Sequence, residues 1–545
     1  MRNSTCKEKA LFSDRIRIVI SLAAIVLLLS SVLPLGAQAA AGDLDTRFDA
    51  DGRIITDFFG DDNSAHAVAI QSDGRIVAAG EAFNPGNSTY DFALTRYNAD
   101  GSLDTSFGSS GRATADFLGG TDSARAIAIQ SDGRIVVTGL VLNSDDTIRD
   151  FALARFNTDG SLDTSFGSSG KVTTDFFGDL DRARGITIQS DGRIVVAGET
   201  FNPGIGGTNF ALARYNTDGS LDTSFDSDGR VDTDFLGGSD RAQAVAIQSD
   251  GRIIAAGTIT GIGGDFGIVR YNTDGSLDTS FDLDGKVDTD FFASIDQAQA
   301  LAIQSDGRIV VAGLVSNSSL RDFALARYNT DGSLDSSFDS DGKVNTDFFG
   351  DLDRVFAVAI QSDNRIVAAG VADPGTGIED FALARYNLDG ALDSSFGSAG
   401  RITTDFFGDS DQARGVAIQP DGRIVVAGFT CDPEGEVCDF ALARYNTSPL
   451  DFCLQDDSNG NLLQFNSSTG DYLFTNCAGL TLGGKGALTK KGSVITLQHY
   501  TTDRKVLARV DRSSNRGNAS FQLLPQGTAF GITDRNTNNN TCACR

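Results

Sequence analysis

Residues 160–179 read Gly-Ser-Leu-Asp-Thr-Ser-Phe-Gly-Ser-Ser-Gly-Lys-Val-Thr-Thr-Asp-Phe-Phe-Gly-Asp. The phrase returns with small changes from Gly42, Gly101, Gly219, Gly275, Gly332 and Gly390, so seven copies follow one another at spacings of 56 to 59 residues. Repetition at such a period marks an architecture of stacked supersecondary units. Each copy carries four short runs, of the types VTTDFF, ARAIAIQ, RIVVAG and DFALARYN, rich in β-branched and aromatic residues and separated by Gly, Asp, Asn and Ser. These are strand and turn signals, and no longer run shows a helical period.

The second and third runs are joined by Ser-Asp-Gly-Arg, as at Ser131 to Arg134. Asp-Gly there predicts a type I′ hairpin with positive φ at both central residues. In the sixth copy Asn364 replaces the Gly, and Asn is the other residue that tolerates left-handed backbone. A four-stranded meander cannot cover both of its faces alone, so neighbouring copies must stack on it. The runs RIVVAG and FALAR are apolar throughout, as strands covered on both faces are. The expectation is all-β: a seven-bladed β-propeller of four-stranded antiparallel blades, with an open β-solenoid as the alternative.

The motifs DGSLDTSFG, DGRIVVAG and DFALARYN, repeated from residue 42 to about 449, resemble the delta-60 repeat family of bacterial secreted proteins. The resemblance implies a propeller-like fold and brings no catalytic residue, substrate or cofactor with it. The fourth copy departs from it with Phe266-Gly267-Ile268-Val269-Arg270 in place of FALAR.

Three domains are expected: a signal peptide over 1–39, the repeats over 40–449, and a small cysteine-containing β-domain over 450–545. Arg2, Lys7, Lys9, Arg15 and Arg17 precede an uncharged apolar run from Ile18 to Leu35, and Ala37-Gln38-Ala39 follows it. That is the order of a secretory signal with a small-residue cleavage site. An uncleaved membrane anchor is the competing reading of the same run. The expected address is extracytoplasmic, with no membrane contact after cleavage.

Removing the five basic and two acidic side chains of residues 1–39, and the ten basic and seven acidic ones after residue 450, from the formal −28 leaves −34 on the repeats. Such a surface repels nucleic acid and attracts cations and basic groups. Solubility and self-avoidance are the plainer account of it, and a monomer is expected.

Cys6 leaves with the signal, and six cysteines remain: Cys431, Cys438, Cys453, Cys477, Cys542 and Cys544. An even count suits disulfides in an oxidising compartment. Cys431 and Cys438 share one loop and are expected to pair. The last four allow three connectivities, among them Cys453 with Cys477 and Cys542 with Cys544. A zinc site is the weaker idea, since His66 and His499 are the only histidines.

All length variation among the copies falls between the Gly ending the third run and the Phe of the fourth, as from Gly80 to Phe92 or Gly257 to Phe266. Loops after the first and third runs leave the sheet on one side, which makes that face the candidate binding surface. It should carry Asp61, Asp122, Asp179, Asp181, Asp240, Asp296, Asp351, Asp353, Asp409 and Asp411. Of these Asp179, Asp181, Asp351, Asp353, Asp409 and Asp411 are the calcium candidates, with turn capping by each Asp as the plainer reading. On the opposite side Asn157 to Asp163 and Asn216 to Asp222 faintly suggest a calcium loop, but the closing bidentate Glu is missing.

Arg155, Arg214, Arg270, Arg327, Arg385 and Arg444 recur in the fourth run, and Asp116, Asp175, Asp234, Asp290, Asp347 and Asp405 in the first. Buried charges must be paired, so these two sets are expected to bond to each other. The chain has no nucleophile elbow, metalloprotease helix or phosphate loop. The functional expectation is a secreted, non-enzymatic binding or scaffold protein for a protein, glycan or cation. A propeller hydrolase or lyase acting on polysaccharide and a purely structural envelope component are the alternatives.

Overall fold

In the computed structural model, the described residues are 40–447, without 144–148, 179, 236, 262, 293–294, 318–319, 351, 407–409, 433–434 and 436, together with the backbone of seven strands between 452 and 523. The chain divides into a unit spanning Ala41–Thr447 and a second that includes Ser448–Arg545. Residues 1–39, with the expected signal, and the side chains of Cys453, Cys477, Cys542 and Cys544 lie outside the described set.

The first unit is a seven-bladed propeller of four-stranded antiparallel sheets. Blade 1 runs Asn63–Ile70, Ile76–Asn84, Thr89–Tyr97 and Arg112–Ala115 from the ring axis outward, and the other blades repeat it. The first strand of every sheet packs against the first strands of both neighbouring sheets, which makes it the innermost.

The sequence repeat and the blade are out of phase by one strand. Lys171–Thr174, for example, opens the copy that begins at Gly160 but pairs with Arg149–Phe156 of the copy before, with Phe151 opposite Thr174. Every blade is therefore sewn to its successor by covalent chain as well as by packing. The ring closes the same way: Arg53–Thr56, which precedes blade 1, becomes the outer strand of blade 7 and pairs with Cys438–Tyr445. Asp45 and Gly42 bond to the backbone of Arg444 and Asn446, extending the seam.

Seven hydrophobic clusters fill the spaces between consecutive blades, and the last joins blade 7 to blade 1. The second strand shows why its run is apolar throughout: Ile76 and Ala78 point into the cluster shared with blade 7, Val77 and Ala79 into the one shared with blade 2. Between most blades a buried Tyr hydroxyl reaches a Thr of the preceding blade's outer strand, as Tyr215 does Thr174 at 2.8 Å. A buried phenol needs such a partner.

The hairpin differs from the expected type. Gly133 has φ of 86°, but Asp132 is not in the left-handed region. The Gly133 N–H donates to Gln130 O, and the Gln130 N–H to Arg134 O. This is a type I turn closed by a left-handed residue, a three-residue loop instead of a two-residue type I′ one. Asn364 takes φ of 65° in the same place, as expected.

The arginine network also differs. Arg155 bonds to Asp163 of the S-L-D segment at 2.8 Å, and Arg327 to Asp335 at 2.7 Å. The strand explains the change of partner: Asp175 follows Thr174, which sits opposite Phe151. Arg155 lies four residues further along, toward the other face. Each of these arginines also stacks on a Phe, as Arg155 does on Phe166 at 4.4 Å, and Arg155 donates to Thr217 O of the following copy. The staple is structural and repeats round the ring.

The C-terminal unit contains a seven-stranded antiparallel sheet in chain order, from Phe452–Gln455 to Ser520–Leu523. The described residues of this unit are all in strands, in line with the expected β-domain.

Candidate functional site

The loops between second and third strands and the crossovers between blades emerge on one face, and the repeated aspartates meet there. In five places three carboxylates each bring an oxygen within 4.8 Å of the others: Asp91 with Asp116 and Asp122; Asp150, Asp175 and Asp181; Asp265, Asp290 and Asp296; Asp322, Asp347 and Asp353; Asp380, Asp405 and Asp411. Each set joins the start of a third strand, the end of an outer strand and the start of the next inner strand.

The innermost members are buried instead of lining an open rim: Asp122, Asp181, Asp296, Asp353 and Asp411 are 0% exposed. Each accepts the N–H of a Phe five residues earlier, Phe176 for Asp181 at 2.7 Å. The outer-strand member caps its own turn, as Asp116 does through Gly119 N–H at 2.9 Å. Burial, with the two neighbouring carboxylates adding to it, pushes Asp122 up to about 8 and Asp181 and Asp353 to about 7. In the two remaining positions an Asn stands in. Asn63 donates to Asp57 and Asp439, and Asn209 replaces the third-strand Asp.

Three carboxylates so close repel one another unless they share protons or hold a hard cation, and oxygen donors of this kind suit calcium. Asp181, Asp353 and Asp411 are thus brought together with Asp175, Asp347 and Asp405, expected to pair with the arginines, and with Asp150, Asp322 and Asp380, for which the sequence suggests no partner. Asp179, Asp351 and Asp409 lie outside the described residues. On the opposite face Asp159 accepts the Ser161 N–H and hydroxyl in an Asx turn.

A second group of residues on this face was missed. Every inner strand carries a β-bulge at the same place, between Ala65 and Ala67 in blade 1 and between Ala413 and Gly415 in blade 7. The extra residues are His66, Arg125, Arg184, Gln243, Gln299, Phe356 and Arg414. Bulges of this kind re-aim a side chain. They also explain the recurrent Gly on the second strand: a Cβ at Gly139 would stand 2.0 Å from Ser123 O.

The bulge residues and their neighbours gather charge round the axis. Arg125 Nη1 lies 3.2 Å from His66 Nε2, and Glu81 lies 3.5 Å from the same ring nitrogen. Glu199, only 1% exposed, receives Arg182, Arg184 and Arg241 at 3.4, 2.8 and 2.9 Å. Glu379, from the variable loop of blade 6, holds Arg354 at 2.6 Å and Gln412 at 2.5 Å. Arg414 lies over the Phe356 ring at 3.9 Å.

Burial and then Arg125 push His66 down to about 4, which keeps the imidazole neutral near pH 7. His66 and Arg125 hold Glu81 at about 2 against its burial. Burial, with Arg125 and Arg354 adding, lowers Arg414 to about 10. The signal for this ring was present in the sequence: the residue after the first Ala of the ARAIAIQ run is its one freely changing position. Reading for what recurs passes over it.

The expected pair Cys431 and Cys438 is bonded, closing the variable loop of blade 7.

Seven segments, 71–107, 130–166, 189–225, 248–281, 304–338, 361–396 and 419–448, match the family described as Domain of unknown function (DUF5122) beta-propeller. No curated protein matches the chain. Among solved structures it is similar to virginiamycin B lyase from Staphylococcus aureus, at 11% identity and a TM-score of 0.44 over 72% of this chain and 98% of that one. It is similar also to a polysaccharide lyase described as an ulvan lyase, at 11% identity and 0.41 over 73% and 96%. A third is the α-L-arabinofuranosidase Arb93A from Fusarium graminearum, at 9% and 0.38 over 74% and 97%. Likeness at this level concerns the fold alone. Ring, repeat and family match agree on the fold: residues 41–447 form a seven-bladed β-propeller, and each of its seven copies carries a match to the DUF5122 beta-propeller model.

Proposed function

We propose that this protein is an extracytoplasmic, non-enzymatic binding protein that takes its ligand on the variable-loop face of the propeller, at the ring axis. The observation that carries the reading is the bulge ring. Seven equivalent positions hold His, Arg, Arg, Gln, Gln, Phe and Arg, while the residues around them recur. Stability asks for sameness from blade to blade, so diversity confined to one ring and one loop is the mark of recognition. The Cys431–Cys438 bond and the basic-then-apolar segment before residue 39 support the address.

The test is a panel of oligosaccharides and peptides offered to the full-length chain and to an Arg125→Gln, Arg184→Gln, Arg414→Gln variant of unchanged melting temperature. Binding by the parent and loss in the variant is the expected result. Equal binding by both would move the site away from the axis. Release of product from a bound oligosaccharide, abolished by His66→Ala, would replace the binding role with the lyase or hydrolase reading, in which acid–base chemistry at the axis would fall to His66 and Glu81.

A further inference from the structure

Among the described residues, the side chains that meet round the axis are richer in arginine than in glutamate. Six arginines gather there, Arg125, Arg182, Arg184, Arg241, Arg354 and Arg414, against Glu81, Glu199 and Glu379. The chain as a whole has a formal charge of −28. Three of the arginines crowd onto one carboxylate, Glu199. Arg125 feels Arg182 and Arg184 across one blade boundary, and Arg414 feels Arg125 past the inner strand of blade 1. The Nε atoms of Arg182, Arg184, Arg354 and Arg414 are shielded from solvent without a hydrogen-bond partner. Guanidinium groups gathered in excess, with donors unspent, are a site that lacks its counter-charge.

We propose that the ring axis binds an anion bearing two or more carboxylate or sulfate groups, engaged by the Arg182–Arg184–Arg241 group on one side and the Arg354–Arg414 pair on the other. This rests on the binding role assigned above to the variable-loop face. Planar guanidiniums suit these groups because each offers paired N–H donors to two oxygens. The neutral His66 and the amides of Gln243 and Gln299 supply uncharged polar groups to the same ring. The acidic exterior repels anions, so a small ligand carrying several charges is favoured over an extended polyanion lying across the surface.

The experiment is calorimetric titration of the full-length chain with trigalacturonate, its methyl ester, citrate and inorganic sulfate, each at low and high salt. Trigalacturonate is expected to bind, its uncharged ester not to. Binding should weaken about ten-fold or more in Arg184→Gln and in Arg414→Gln and fall with added salt. Tight citrate binding with the same dependence also supports the assignment and identifies a small free acid as the source of the groups. An unchanged melting temperature of each variant guards against loss through misfolding. Ester and acid bound equally would overturn the anion assignment while leaving the face as a binding surface. Failure of every anionic probe at millimolar concentration, with the variants folded, would also overturn it.

Discussion

Ala115 and Phe156 meet in the cluster between blades 1 and 2, where other blades place a Thr and a Tyr. Tyr97, Tyr215, Tyr328, Tyr386 and Tyr445 each reach a Thr hydroxyl of the preceding blade at 2.7 to 2.9 Å. Where the Thr is missing, so is the phenol that would need it. Phe156→Tyr alone should therefore cost about 1–3 kcal/mol, the penalty of a buried hydroxyl without a partner. Adding Ala115→Thr should recover most of that loss. Denaturant unfolding of the parent, both singles and the double gives the coupling, and additive losses would mean that the hydroxyls do not meet.

The recurrent glycines divide into two kinds. Gly139→Ala pushes a methyl into Ser123 O and must break the bulge or move the strand, so a loss of about 2–4 kcal/mol is expected. Gly133→Asn copies Asn364 of blade 6 and should stay within about 1 kcal/mol of the parent. Similar losses for both, measured by thermal melting, would show that the bulge does not constrain the second strand.

The aspartate triads set a pH dependence. Asp122 has an ordinary value of 3.8 and sits at about 8 when folded. A carboxyl raised by folding keeps its stabilising proton at low pH and loses it as pH climbs through the folded value. In calcium-free buffer the melting temperature should thus fall from about pH 4 to pH 8. Below that window Asp393, held at about 2 by Ser395 and Arg385 despite burial, works the other way. Asp122→Asn, which copies Asn63, should raise the midpoint at pH 8 by about 2 °C. Millimolar calcium should raise the parent's midpoint there and flatten the profile, because it relieves the same repulsion. A flat profile in chelator would mean that the carboxylates are not in conflict.

Closure depends on one short strand. A chain shortened to begin at residue 57 loses Arg53–Thr56, the Asp45 partner of Arg444 and the buried Phe48. It leaves the third strand of blade 7 as an open edge, which should associate with other copies. Size-exclusion chromatography should show larger species, and a peptide of residues 40–56 added in trans should restore the monomer. A shortened chain that stays monomeric and equally stable would mean that the seam contributes little.

From its residues alone the chain declared four strands per copy, seven copies and the side on which its loops vary. These are local properties: β-branched periodicity, turn residues, and one loop that absorbs every change of length. The Cys431–Cys438 bond was legible for the same reason, being closed within a single loop. What folding alone decided is who meets whom across distance. Register sent Arg155 to Asp163 and left Asp175 with Asp150 and Asp181, which only a blade boundary brings together. The one-strand offset that closes the ring and the bulge that turns His66, Arg125 and Arg414 to the axis are likewise features of pairing between strands. A linear pattern ranks positions by how often they recur, whereas the ring gathers at its centre the residues that do not.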